Sequence, residues 1–134
     1  MNLIETIFWL ALTVYYEGRG EPIEGQFAIT KTILNRAKKN NWPVSDVVKA
    51  RKQFSCYNKG MQDPGVWVRE PLALFEVTKN VAAAYTEWLD GKTLEGATHY
   101  YAPAAMVPKG AVPYWVPSMQ LVGKFGNQIF YREV

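Results

Sequence analysis

Leu3-Ile4-Glu5-Thr6-Ile7-Phe8-Trp9-Leu10-Ala11-Leu12-Thr13-Val14-Tyr15-Tyr16-Glu17-Gly18-Arg19-Gly20-Glu21-Pro22 is the stretch from which the fold can be read. Leu3, Ile7, Leu10 and Val14 recur at helical spacing, and Ile4, Phe8, Ala11 and Tyr15 form the adjacent stripe. A helix that is apolar on both stripes belongs in the centre of a core. Two glycines and a proline break the pattern across residues 17–22, so the helix should stop there. Residues 7–16 are uncharged but far short of the roughly twenty needed to cross a bilayer. Glu5 ahead of them and Tyr16-Glu17 behind do not match the basic start and small-residue cleavage site of a secretory signal. The segment therefore reads as a buried helix of the mature domain, with no stable membrane insertion and no leader expected.

Further along, a second helix starts at Pro22 or Ile23, where proline suits the first helical position. Phe27, Ile29, Ile33, Leu34 and Ala37 give it an apolar side, and it should end before Asn40-Asn41-Trp42-Pro43. Ser45 is placed to cap a short helix over residues 46–50. Residues 51–70 show no sustained period and carry turn signals at Lys59-Gly60 and Asp63-Pro64-Gly65, which marks a long functional loop. A third long helix is predicted from about Pro71 to Leu89. Leu74, Val77, Val81, Ala84 and Trp88 form one face, Leu72, Phe75, Ala82 and Tyr85 lie beside it, and Asp90-Gly91 closes it. Thr98-His99-Tyr100-Tyr101 and Gln128-Ile129-Phe130-Tyr131 have strand composition. Between them Pro103, Pro108, Pro113 and Pro117 impose extended, irregular backbone. The expected fold class is mainly α (α+β), a helical domain with a small β element near the C-terminus.

The whole chain is consistent with that picture. Its 134 residues suit one domain, 1–134, with a single core. With 49% hydrophobic, 14% aromatic and 20% charged residues it is globular, which excludes disorder, collagen and coiled coil. A net charge of +3 suits an anionic partner such as nucleic acid, a lipid surface or a wall polymer. Cys56 is the single cysteine and His99 the single histidine, so an intramolecular disulfide and a Cys/His zinc cage are both excluded. No metal or cofactor is called for.

Glu17 is the most informative position. At the C-terminal end of a helix a carboxylate meets the negative end of the macrodipole, and burial adds desolvation. Both effects raise a carboxyl pKa. A carboxyl partly protonated near neutral pH is what a general acid needs to protonate a glycosidic oxygen.

Glu17-Gly18-Arg19-Gly20-Glu21-Pro22-Ile23-Glu24-Gly25-Gln26, Ile33-Leu34-Asn35-Arg36, Gln53-Phe54-Ser55 and Gly96-Ala97-Thr98-His99-Tyr100-Tyr101 follow one another in that order. From about Leu10 to Tyr131 the chain resembles the spore-cortex-lytic (SleB-like) bacterial and phage cell wall hydrolase family. The resemblance implies a lysozyme-like, mostly helical fold acting on peptidoglycan glycan strands, with Glu17 in the place of the family's catalytic glutamate. The chain departs from the family between Met61 and Glu70, which looks longer than a minimal member needs. It departs again at Ala102, where relatives often carry a polar residue.

Retaining and inverting glycosidases need a second carboxylate, about 5–5.5 or 6.5–9.5 Å from the first respectively. Glu21, Glu24, Asp63 and Asp90 are the candidates, although Glu21 and Glu24 also suit the positive end of the second helix and Asp63 a turn. Without a second acid, Glu17 acts first as acid and then as base, the route of a lytic transglycosylase, which the resemblance also implies. Substrate-binding candidates are Ser55 and Phe54 of the loop, Tyr100 facing the cleft, and Tyr16 and Trp115, whose flat faces suit sugar rings. Tyr114 and Trp67 offer similar surfaces. Asn35 is expected to satisfy buried backbone or tie down the loop after Glu17. Alternation should put His99 and Tyr101 on one face of a strand and Thr98 and Tyr100 on the other.

Two other classes remain open. Cys56 and His99 would permit a wall-peptide amidase or peptidase, which requires a thiolate activated by histidine. Lys31, Arg36, Lys38, Lys39, Lys49, Arg51 and Lys52 concentrate positive charge that could serve nucleic-acid binding. The preferred expectation is a monomeric phage-type lysin that binds no nucleic acid. It would be made in the cytoplasm and reach the wall through a separate membrane pore.

Overall fold

The structure, a computed structural model, describes residues 2–18, 20–50 and 70–134. In chain order its elements are α1 (Leu3–Gly18), α2 (Ile23–Asn40), α3 (Val44–Lys49), α4 (Pro71–Leu89), β1 (His99–Tyr101), β2 (Met119–Phe125) and β3 (Gln128–Glu133). Short 3-10 turns lie at Leu94–Gly96, Pro103–Ala105 and Val116–Ser118. The expected mostly helical fold with a small sheet near the C-terminus is what the chain forms.

α2 is the central helix. Nearly every side chain from Gly25 to Leu34 is buried, including Gln26, Thr30, Lys31 and Thr32. The threonines are tolerated because their hydroxyls bond back along the helix: Thr30 to the Gln26 carbonyl at 2.8 Å and Thr32 to that of Ala28 at 2.9 Å. Asn41 closes α2 in the left-handed conformation, φ 54 and ψ 43, and Trp42 N–H reaches back to the Ala37 carbonyl at 3.0 Å. Leu10, Val14 and Tyr15 of α1, Ile29 and Ile33 of α2, Val48 of α3 and Val81 of α4 are fully enclosed. Burying each such side chain stabilises by about 1.5–3 kcal/mol.

α1 runs antiparallel to α2 and α4. The hydroxyl of Tyr15, near its C-terminus, accepts from the backbone N–H of Glu70 at the entry to α4, 3.1 Å away. At the opposite end, Thr6 of α1 shares a cavity with Leu34 of α2 and with Tyr85 and Trp88 of α4. Both stripes of α1 are buried only over its second half. Leu3, Ile4 and Phe8 are exposed, which corrects the expectation of a helix enclosed along its length. On α4 the stripe of Val77, Val81 and Ala84 is buried as predicted, whereas Leu72, Phe75 and Ala82 face outward. Ser45 is no cap, because α3 begins at Val44 with Pro43 in the capping position.

The sheet has strand order β1-β3-β2 and is antiparallel throughout. β1 pairs Tyr100 with Phe130, and β2 pairs Phe125 with Gln128 across a two-residue turn at Gly126-Asn127. Gly126 has φ +63, in the position that a type II′ hairpin reserves for glycine. β2 occupies part of the region expected to be irregular. Phe130 is buried, with Tyr100, Val122 and Phe125 packed beside it, so this face of the sheet joins the helical core.

Candidate active site

Glu17 sits in the last turn of α1, as its sequence position predicts. It is half-buried, and its Oε1 is shielded from solvent, as is the hydroxyl of Tyr16. Tyr16 packs edge-on against Tyr15, with ring centroids 4.8 Å apart. Helix α1 is held at this end from two sides: by the Tyr15–Glu70 hydrogen bond and by Gly18, whose Cβ, if present, would lie 2.8 Å from Ile29 Cδ1. A close helix–helix approach is therefore built in immediately after the acidic residue.

The turn that follows is anchored through Glu21. Its backbone N–H donates to the Gly18 carbonyl at 2.9 Å, and its carbonyl accepts from Gln26 Nε2 at 3.2 Å. Gln26 is buried and in turn accepts from Asn80 Nδ2 of α4 at 2.9 Å. The Glu21 carboxylate leaves the helices and takes both donors of Asn127, the backbone N–H at 2.7 Å and Nδ2 at 3.0 Å. The expectation that Glu21 caps α2 is thus corrected: its carboxylate, though beside the first turn of α2, binds the β2–β3 turn.

The other acidic candidates are placed as follows. Glu24 is exposed in the first turn of α2. Asp90 caps the far end of α4, roughly 28 Å along a 19-residue helix from the end that meets Tyr15. That is well outside the spacing of any catalytic carboxyl pair. Asp63 lies outside the described residues, as do Phe54, Ser55, Cys56 and Trp67.

Tyr100 and Trp115 fall on different faces of the sheet. Tyr100 stacks on Phe130 at 5.2 Å on the core side. Trp115 covers the opposite face, 4.9 Å from the His99 ring, 5.5 Å from Tyr131 and 6.1 Å from Tyr101. The predicted alternation along this strand is therefore observed. Tyr114 is 94% exposed. His99 Nδ1 lies 2.9 Å from Thr98 Oγ1, and burial, with Arg36 adding to it, holds the imidazole below its ordinary pKa.

Asn35 takes the first of its two expected roles, satisfying backbone carbonyls, and does so in the segment before β1. Its Nδ2 donates to the carbonyls of Thr93 and Ala97, both at 2.8 Å, and its Oδ1 accepts from Trp88 Nε1 at 2.9 Å. Three members of the basic cluster have partners within the fold. Lys31 is buried and paired with Glu87 at 2.7 Å, Lys39 pairs with Glu133, and Arg36 bonds the Thr98 carbonyl. Arg51 and Lys52 of the same cluster lie outside the described residues. A cavity of about 590 Å³ lined by Lys38, Lys39, Arg132 and Glu133 lies by the C-terminal end of α2, away from Glu17. Among the described residues no group of His, Cys, Asp and Glu could hold a metal ion, and no helix is long and apolar enough to cross a membrane.

Known proteins resemble this arrangement along most of its length. Residues 20–131 match the family described as Cell Wall Hydrolase, the match beginning three residues after Glu17. The spore cortex-lytic enzyme of Oceanobacillus iheyensis is 28% identical over 125 residues, covering 92% of this chain and 40% of that protein. The chain thus spans about two-fifths of the length of that curated relative. The catalytic domain of the germination-specific lytic transglycosylase SleB from Bacillus anthracis is similar in structure, with TM-score 0.69 and 27% identity over 95% of this chain and 93% of that one. The catalytic domain of Bacillus cereus SleB gives TM-score 0.68 and 25% identity over 96% and 91%.

Proposed function

The chain belongs to the cell wall hydrolase family, and on that footing we propose that it cleaves the MurNAc–GlcNAc linkage of peptidoglycan as a lytic transglycosylase, with Glu17 as its one catalytic carboxyl group. The observation that carries this reading is the setting of Glu17, half-buried in the last turn of a 16-residue helix with Oε1 shielded from water. Proximity to the negative helix end and loss of hydration both favour the protonated carboxyl. The likeness to the solved SleB domains supports the choice of substrate and of outcome.

In the first step Glu17 gives its proton to the glycosidic oxygen as the bond to the MurNAc anomeric carbon breaks, releasing the GlcNAc-terminated strand. The developing oxocarbenium ion is then trapped by the 6-hydroxyl of the same MurNAc. Glu17, now a carboxylate, removes that hydroxyl's proton, which restores the acid and leaves a 1,6-anhydro ring. No water is consumed. Commitment of Glu21 to Asn127 and the remoteness of Asp90 support a mechanism with a single acid. Tyr16, next to Glu17, together with Phe54, Ser55 and Tyr100, is proposed to contact the strand, whereas Trp115 covers the face of the sheet turned away from the helices.

Turbidity clearing of purified sacculi by wild type and Glu17→Gln, followed by product masses, tests the proposal. Expected are clearing by wild type alone and anhydro ends lighter by one water than hydrolytic ends. Clearing by the mutant would remove Glu17 from its role, and reducing ends throughout would replace transglycosylation with hydrolysis.

A further inference from the structure

We propose that Glu21 is a positioning residue for this cleavage, holding Gly18, and through it the Glu17 carboxyl, by the bonds of its carboxylate to Asn127. The inference rests on the reading of Glu17 as the catalytic acid.

Glu21 joins parts of the chain that lie far apart in sequence. Its N–H fixes the carbonyl of Gly18, the residue directly after Glu17, and its carbonyl is held by Gln26. Its carboxylate crosses to the hairpin turn 106 residues later and satisfies two donors there, one on each oxygen. Three glycines surround its side chain. A Cβ on Gly126 would stand 2.3 Å from Glu21 Oε1, and one on Gly25 would stand 3.0 Å from the same atom. One on Gly18 would stand 3.5 Å from Glu21 Cγ. Backbone from α1, α2 and the hairpin has been cleared of side chains around a single carboxylate.

The arrangement differs from helix capping. The N–H groups of Gly25 and Gln26 are taken by the Pro22 carbonyl, and the carboxylate points across to Asn127. A fixed span from sheet to turn is what proton transfer needs, since a donor displaced by about 1 Å can cost a hundredfold in rate. Charge also matters, because a carboxylate accepting N–H bonds holds more firmly than a neutral side chain.

The experiment compares wild type, Glu21→Ala, Glu21→Gln, Asn127→Ala and the Glu21→Ala/Asn127→Ala double mutant, with the exposed Glu24→Gln as control. Soluble glycan-strand fragments are the substrate, and folding is checked by circular dichroism. Glu21→Ala is expected to lower kcat about ten- to a hundredfold with KM changed by no more than about threefold. Glu21→Gln, which preserves shape and one acceptor, should recover most of that loss, and Glu24→Gln should match wild type. The double mutant should be no slower than Glu21→Ala alone, since both changes break one joint. A carbon-13 titration of the Glu17 carboxyl needs no substrate, and its midpoint should move in Glu21→Ala. Should Glu21→Ala not fold, Glu21→Gln and Asn127→Ala give the same readouts with smaller shifts. Folded Glu21 variants with wild-type kcat and an unmoved Glu17 titration would overturn the proposal. A wild type inert on glycan whose Glu17 titration still responds to Glu21→Ala would reject the glycosidase reading and uphold the coupling of the two residues.

Discussion

The guanidinium of Arg36 donates from Nε to the carbonyl oxygen of Thr98, 62 residues further along the chain. One position earlier, Asn35 donates to the carbonyl of Ala97. The Leu-Asn-Arg and Gly-Ala-Thr stretches are therefore two halves of one joint, through which α2 grips the backbone entering β1. Burial lowers the pKa of Arg36, while Tyr100 and Glu133 nearby oppose that shift.

Asn35 should be the most sensitive point of this joint. Asn35→Ala removes two donated bonds and leaves Trp88 Nε1 without its acceptor, at a cost of about 2–3 kcal/mol. Asn35→Asp keeps the acceptor but sets a carboxylate against the carbonyls of Thr93 and Ala97, so a loss of about 3–4 kcal/mol is expected. Urea unfolding followed by circular dichroism ranks the two. An aspartate variant as stable as wild type would show that the joint contributes little.

The sequence displays this joint poorly, because a hydrogen bond from an amide to a distant carbonyl leaves no periodic trace. What it does display is periodicity. α4 was expected from Pro71 to Leu89 and occupies those residues, since an apolar stripe and a glycine stop agree. The burial of α2 was concealed by Thr30 and Thr32, polar in sequence yet satisfied within the helix. β2 was obscured by Gly123 and by the register irregularity beside it, which interrupts alternation. The place of Glu17 in the last turn of α1 was legible because the end of a helix is a local feature. The partner of Glu21 was not, for it lies at the other end of the chain.

Lys31 and Glu87 form the ion pair that joins α2 to α4 beside the Gln26–Asn80 and Asn35–Trp88 hydrogen bonds. Lys31 is enclosed, whereas the Glu87 side chain is 40% exposed. The hydrogen bond from Lys31 holds the Glu87 carboxyl below its ordinary pKa. Glu87→Gln should cost about 1–2 kcal/mol, a buried-pair value reduced for solvent screening at Glu87. Lys31→Met, which removes the buried charge along with its need for a partner, should cost less. Because the Glu87 pKa is depressed in the fold, this stabilisation is complete above the ordinary carboxyl range and is lost as pH falls through the folded value. Glu87→Gln should therefore flatten the acid limb of the stability profile, and an acid limb as steep as wild type would refute the assignment.

His99 should shape a separate pH window. Burial is the main cause of its lowered pKa; Arg36 and Lys39 act in the same direction, and Glu133 opposes them. The unfolded chain takes up the imidazole proton first, so stability is complete above about pH 6.5 and declines as pH falls toward the folded value. His99→Gln removes this titration. Thermal midpoints measured between pH 5 and 7 should fall with acid in wild type and stay nearly level in the mutant; parallel curves would contradict the sign.

Glu17→Gln should cost activity without costing stability. In wild type a carboxylate ends a 16-residue helix with one oxygen shielded from water, and both features oppose its charge. Glutamine has nearly the same shape and no charge, so the mutant should be more stable by about 0.5–2 kcal/mol at neutral pH. The difference carries its own control. In acid both side chains are neutral and the two proteins should unfold together, whereas the gap should open as pH rises and only wild type acquires the charge. Calorimetry of the pair across that range reads it directly. A mutant less stable than wild type at neutral pH would mean that the fold welcomes the charged carboxylate, and Glu17 would then lack the bound proton on which the first step of cleavage depends.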